Sequence, residues 1–244
     1  MPKSDAYEKA IIEPSIVWLT NRSVTERVLL FPLKDHLEAF LARAGYDRKR
    51  ARRFSTTYYY PPPEKDRPGV LGDFLGAPET AGLVEELIVL GARELVFFGI
   101  AGSIDRNFRL ADTATAQLAF ADEGTSKHYF PDETLFYPDP ALMKRLEAHL
   151  HAGEQAPRPA AIWTTDALYR ETPSKVNAQA AAGRSLVEME ISALYAVAAF
   201  REIAAAAFVT VSDELFTGTW KPGTRRPKYR RAVARVMAAL ETWR

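Results

Sequence analysis

The 244-residue chain contains no cysteine. Disulfides, zinc–thiolate sites and a cysteine nucleophile are therefore excluded. It also has no excess of charge of either sign. There are 32 Lys and Arg against 31 Asp and Glu, a formal net charge of +1. Nucleic-acid and membrane-surface proteins carry a one-sided basic face, and that balance argues against both. No uninterrupted apolar run approaches the ~18 residues of a membrane span. The opening Met1-Pro-Lys-Ser-Asp-Ala-Tyr7 lacks the apolar core of a signal peptide. The expectation is a soluble cytoplasmic protein. Histidine is scarce too. The four, at 36, 128, 149 and 151, show no metal-ligand spacing, so no metal is expected. Neither a Gly-x-Gly-x-x-Gly fingerprint nor a phosphate-loop Gly-Lys-Ser/Thr occurs.

What is present is a globular composition, 47 % hydrophobic, able to build a core. Strand and helix patterns alternate along its length. Strands are expected at 15–19, 27–31, 54–60, 69–75, 94–98, 113–121, 160–165 and 204–211 from β-branched, aromatic and apolar runs. Helices are expected at 35–44, 76–90, 138–149, 192–200 and 226–244 from apolar residues at helical spacing. Residues 61–68, rich in proline and charge, form a loop. The basic run 47–53 suits a solvated face. No internal repeat is seen. The simplest fit is one α/β domain over residues 1–244, three-layered α/β/α, with a central mixed, mostly parallel sheet.

Two acidic clusters stand out. Val187-Glu188-Met189-Glu190 and Val211-Ser212-Asp213 each place carboxylates at the edge of an apolar run. In an open α/β sheet ligands bind outside the carboxyl ends of strands, so both clusters would face one crevice. Acids there suit a ligand with several hydroxyls and a leaving group that needs a proton. If the backbone is extended, Glu188 and Glu190 point to one side. Methionine between them offers an adaptable apolar surface. The plainer alternative is a pair of acids at a helix N-terminus, favoured by the macrodipole. Asp213 ends an apolar strand, where desolvation raises a carboxyl's pKa and lets it act as a general acid. The plainer alternative there is a cap for the next turn. Gly99-Ile-Ala-Gly102-Ser103 closes another strand and suits either a tight turn or amides approaching a ligand. Asp122-Glu-Gly-Thr-Ser-Lys-His-Tyr129 is either a polar turn or a loop over a sugar or anion.

Together these segments resemble the nucleoside phosphorylase and nucleosidase superfamily, which includes purine nucleoside phosphorylase, uridine phosphorylase and methylthioadenosine nucleosidase. The resemblance rests on Gly76-Ala-Pro78 before Glu85-Glu86-Leu87, Gly99-Ile-Ala-Gly-Ser103, Asp122 to Tyr129, Trp163-Thr-Thr-Asp-Ala-Leu-Tyr169, Val187-Glu-Met-Glu190 and Val211-Ser-Asp213. They occur in family order and span roughly residues 25–220. The resemblance implies a nucleoside phosphorylase-like fold and cleavage of a ribosyl N-glycosidic bond. Glu190 would bind the ribose hydroxyls, with Met189 packed on the sugar and Glu188 beside it. Asp213 would protonate a departing purine, in a base site with Leu168, Tyr169 and Ser212. The anion or water site would comprise Arg52, Lys34, Gly99, Ile100 and Ala101. Arg52 matches an arginine that some members lend to a neighbouring subunit. A homo-oligomer is implied, with a small-molecule nucleoside as ligand, inorganic phosphate as candidate co-substrate and no other cofactor.

The chain also departs from the family pattern. The first phosphate loop, Leu30-Phe-Pro-Leu-Lys-Asp35, has no glycine. Phe97 stands where phosphorylases carry an arginine, and Ile100 where they carry Ser or Thr. Thr172 and Ser174 replace the glutamine and arginine with which uridine phosphorylases hold a pyrimidine. The N-terminal histidine that many hexameric members share across subunits is missing. These departures favour a purine-like base and leave two acceptors, phosphate and water, in play. A non-catalytic nucleoside-binding relative is the further alternative.

Overall fold

The computed structural model describes residues 10–12, 14, 23–54, 56–151 and 156–244. The strand expected at 15–19 lies outside them. Strand β5 (Glu94–Ser103) is the spine of the molecule. Its parallel neighbours are β1 (Arg27–Phe31) on one side and β10 (Ala204–Glu214) on the other. All three are apolar nearly throughout, as strands covered on both faces require. Beyond β1 lie β4 (Gly69–Gly72), β3 (Thr57–Tyr60) and β2 (Arg52–Phe54). Beyond β10 lie β6 (Thr113–Ala121), β8 (Arg158–Thr164) and β9 (Leu186–Glu188). β9 then pairs with the far end of β5, Gly102 facing Val187. The strands β5–β10–β6–β8–β9 thus form a closed circuit. Two parallel sets, β4–β1–β5–β10 and β6–β8–β9, are joined by antiparallel pairings of β10 with β6 and of β9 with β5. Short β7 (Leu135–Phe136) and β11 (Lys221–Pro222) add at the margins.

Helices cover both faces. α2 (Gly76–Val89) and α5 (Ile191–Phe200) close one core, with Leu83, Leu87, Leu194 and Val197 against Leu95 and Val209. α1 (Lys34–Ala44), α3 (Pro140–Leu150) and α6 (Pro227–Leu240) close the other. There Phe98 stacks on Phe208 at 4.8 Å and on His36 at 5.1 Å. α5 is buried almost all round, as a helix apolar on every side must be. Its Tyr195 hydroxyl donates to the Ala116 carbonyl at 2.8 Å and accepts from the Ala207 amide at 3.0 Å. One side chain so ties β6 to β10 beside the irregularity in β6 between Ala116 and Leu118. No helix among the described residues is long and apolar enough to cross a membrane.

Three expectations need correction. The strand expected over 54–60 is a hairpin, β2 and β3 pairing antiparallel with Phe54 opposite Thr57. The strand expected over 69–75 stops at Gly72, because Asp73 takes a left-handed φ of 68° that a continuing strand cannot hold. Gly99 to Ser103 is not a turn but the last half of β5, held by β10 on one side and β9 on the other. A run of small residues permits a turn but does not demand one when two strands are at hand to pair with it.

Candidate active site

The two acidic clusters meet across β5. Gly102 pairs with Asp213 on one side and with Val187 on the other. With strands ~4.8 Å apart, the clusters stand about 10 Å from each other. They converge because β9 runs antiparallel to β5, not because parallel strands end together. Between them opens a cavity of about 510 Å³, the size of a small-molecule site. Lys34, Ile100, Ala101, Leu168, Glu188, Met189, Glu190, Ser212 and Asp213 line it, all anticipated from sequence.

Asp213 lies within β10 rather than at its end. The pairing with β5 slips by one residue between Val211 and Asp213, so Ser212 is an extra residue and the strand bulges. In a regular strand, neighbours face opposite sides. The bulge re-aims them, so that Ser212 and Asp213 both reach the cavity. Ser212 Oγ donates to Asp213 Oδ1 at 2.5 Å, and Trp220 Nε1 donates to Oδ2 at 2.9 Å. Burial raises the Asp213 pKa, and these two donors hold it down in part.

Glu188 and Glu190 divide their tasks. Glu188 Oε1 accepts from Thr164 Oγ1 at 2.5 Å, and Oε2 accepts from the amides of Glu190 and Ile191 at 2.7 and 2.8 Å. It caps the entry into α5, and both its oxygens are engaged by the chain. Glu190 Oε1 accepts from the Gly76 amide at 2.6 Å. Gly76 has φ 81°, a left-handed geometry natural to glycine, and this turns its amide toward the glutamate. Burial raises both carboxyls, and repulsion from Glu190 raises Glu188 further. Such a pair shares a proton over a range of pH. One proton shared between the two leaves one negative charge at this side of the cavity.

Three anticipated residues stand outside this cavity. Tyr169 is 95 % exposed. It follows Leu168 on a single 3-10 turn, whose successive side chains splay about 120° apart, so Leu168 faces in and Tyr169 out. Arg52 is exposed on the edge strand β2, its Nη1 donating to the Ser23 carbonyl at 3.3 Å. Gly99 lies beneath the Phe97 ring. A Cβ at 99 would stand 2.6 Å from that ring and 3.5 Å from Pro32. Phe97 itself is buried, 6.5 Å from the ring of Phe74. The loop 122–129 does not line the cavity. Its buried Glu123 accepts from Ser192 Oγ at 2.9 Å and from the Ser126 amide at 3.1 Å, which fixes the loop to α5 as a polar turn.

The structure adds lining residues that sequence reasoning missed: Asp73, Phe74, Leu75, Glu79 and Glu171. Glu171 carries the most chemistry. Burial and the nearby Asp213 push its carboxyl up to about 7. Its only sequence signal was a place just ahead of a helix cap, where an acid needs no further reason. Among the described residues no group of three or more His, Asp or Glu is placed to hold a metal ion.

A closed circuit of strands in an α/β sheet, with acids flanking one cavity, is the arrangement the site presents. The chain belongs to the phosphorylase superfamily, whose family model matches residues 26–242. It is 32 % identical over 187 residues to a DeoD-type purine nucleoside phosphorylase of Caldanaerobacter subterraneus, covering 75 % of this chain and 78 % of that protein. A DeoD-type purine nucleoside phosphorylase of Bacillus cereus is 34 % identical over 158 residues, covering 62 % of this chain and 66 % of the relative. In fold the chain is similar to the Toxoplasma gondii purine nucleoside phosphorylase solved with immucillin-H (TM-score 0.79, 17 % identity, 90 % of each chain). It is also similar to a uridine phosphorylase of Vibrio fischeri (0.75, 22 %, 90 % and 92 %) and an AMP nucleosidase of Bacteroides thetaiotaomicron (0.72, 16 %, 91 % and 93 %).

Proposed function

We propose that this chain cleaves the N-glycosidic bond of a purine-type nucleoside. One observation carries the reading: Asp213 and Glu190 line the same cavity from opposite sides of β5. Such a span lets Glu190 hold ribose hydroxyls, with Met189 against the sugar, while Asp213 faces the base. The bond from the sugar's anomeric carbon to the base nitrogen breaks, and its electrons leave with the base. Asp213 donates a proton to a ring nitrogen of that base. The sugar becomes oxocarbenium-like, and the carboxylates beneath it offset its positive charge. An acceptor oxygen then bonds to the anomeric carbon. Glu188 acts through the backbone it caps, by positioning Glu190.

For the acceptor, phosphate is supported by kinship with purine nucleoside phosphorylases and by Lys34, the cation of the cavity lining. The product would be ribose 1-phosphate. Hydrolysis is the second reading, favoured by Phe97 and Ile100. Ile100 lines the cavity and Phe97 is buried away from it, so neither offers an anion a donor to replace its hydration. Base release from inosine, adenosine, methylthioadenosine and uridine, with and without phosphate, decides between them. Under phosphorolysis Lys34→Ala raises the phosphate requirement; under hydrolysis release is independent of phosphate. Thermal stabilisation by nucleosides with no turnover of any would instead indicate a binding protein. The same proposal includes one domain over residues 1–244, since every described strand joins one sheet. It includes a homo-oligomer, supported by apolar side chains exposed at the cavity, Leu75 and Leu168, and by Arg52 lying outside its own chain's site.

A further inference from the structure

Both oxygens of Asp213 are already occupied before any base arrives. Ser212, donor to Oδ1, is 3 % exposed and its hydroxyl also lies 3.3 Å from the Ala101 carbonyl. It is fixed in the sheet. Trp220, donor to Oδ2, is 67 % exposed. It sits on the turn between β10 and β11, where Gly218 has φ 74°. A mostly exposed indole whose one polar atom is tied to a half-buried carboxyl is an unusual pairing. The indole N–H can only donate. Facing a carboxyl oxygen, it stabilises the ionised group and opposes a proton on the same oxygen. Yet the reaction proposed above needs that proton on Asp213.

We infer that Trp220 is a positioning residue that holds Asp213 as a carboxylate in the empty site and is displaced by the incoming base, so that Asp213 takes up its proton from solvent only with substrate in place. The inference rests on the assignment of Asp213 as the acid. Of the two donors, Trp220 is the one free to leave, because it lies on an exposed turn and Ser212 does not. Other groups bear on the same carboxyl. Glu171, just ahead of helix α4 (Pro173–Ala181), and Tyr229 of α6 face it, and Glu188 and Glu190 share its cavity. Lys34 lines that cavity, and Lys221 lies on β11 beside it. All of these stay in place when only the indole N–H is removed.

The test is Trp220→Phe, which keeps a ring and deletes the donor. Side-chain carboxyl carbons of aspartate are labelled and titrated by NMR in the full chain, with Asp213→Asn assigning the signal. Without ligand, Asp213 in W220F should bind its proton about fivefold more tightly, the factor one hydrogen bond of ordinary net strength represents. Adding a purine C-nucleoside, whose carbon–carbon glycosidic bond resists cleavage, should abolish the difference. In kinetics, the alkaline limb of kcat/KM, which reports the free enzyme, should move to higher pH in W220F. The limb of kcat, which reports the bound enzyme, should stay. Equal titration of Asp213 in the two unliganded proteins overturns the inference. So does a difference that persists with the C-nucleoside bound. If the C-nucleoside perturbs no resonance, the nucleoside reading falls, while the unliganded comparison still decides what Trp220 does to Asp213.

Discussion

At the scale of single residues, the site is a set of carboxyl groups that burial raises together and that their neighbours shift by different amounts. In the proposed reaction Asp213 arrives at the transition state with a proton. Replacing it with asparagine should lower kcat by about 10²–10⁴-fold and shift the substrate's dissociation constant only a few-fold, because the proton matters most as the bond breaks. Steady-state kinetics alongside calorimetric binding checks both halves. Glu171 is coupled to the same acid. Burial and the charge of Asp213 push its carboxyl up to about 7, so Glu171→Gln should remove an ionisation near pH 7 and move that limb of kcat/KM. A pH–rate profile showing no movement would separate Glu171 from the acid. Most of these groups were legible in the sequence. Asp213, Met189 and Glu190 announce themselves as acids and thioether at the edges of apolar runs. Glu171 did not, because it follows no apolar run and its neighbours are polar. The separate tasks of Glu188 and Glu190 were not legible either. They depend on which backbone amides come within reach, and that is decided by Gly76, more than a hundred positions away in the chain.

At the scale of elements, periodicity located most helices and strands, and failed where pairing partners decide. β5 extends through Gly99–Ser103 because β9 and β10 offer it hydrogen bonds, and no local pattern records a partner that far along the chain. β2 and β3 were merged for the converse reason: Phe54 to Tyr60 is rich in strand-forming side chains on both arms of the hairpin. The most consequential tie between elements is Tyr195. Its hydroxyl serves one donor and one acceptor on neighbouring strands. Tyr195→Phe would leave a buried amide and a buried carbonyl unpaired, which costs about 1–3 kcal/mol. Denaturant unfolding should show a lower midpoint with an unchanged slope. A fall in slope would mean instead that the closed circuit of strands had come apart in the native state.

At the scale of the whole molecule, stability is squeezed from both ends of the pH range. His36 is buried between α1 and α6, with Nε2 3.0 Å from the Tyr229 hydroxyl. Burial lowers its pKa to about 4, against a smaller opposing effect of Asp35. A histidine kept neutral by the fold contributes stability above its unfolded pKa, and that contribution is lost as pH falls toward 4. The loss amounts to about 3 kcal/mol. The site carboxyls work the other way. Glu190 has a raised folded pKa, so its contribution is complete below the unfolded value and disappears as pH climbs through the folded one. Glu190→Gln should therefore raise the melting temperature at pH 8 while removing turnover, a trade of activity for stability. Calorimetric scans of the variant at pH 5 and pH 8 test this, with the gain confined to the higher pH.

The slipped pairing at Ser212 has a genetic corollary. It is one residue long, and everything distal to it in β10 owes its orientation to that single added count. Exchanging the serine side chain perturbs one hydroxyl. Deleting its codon would restore plain alternation and swing the aspartate away from the cavity. At this point, then, descent can rewrite the letter but cannot drop it.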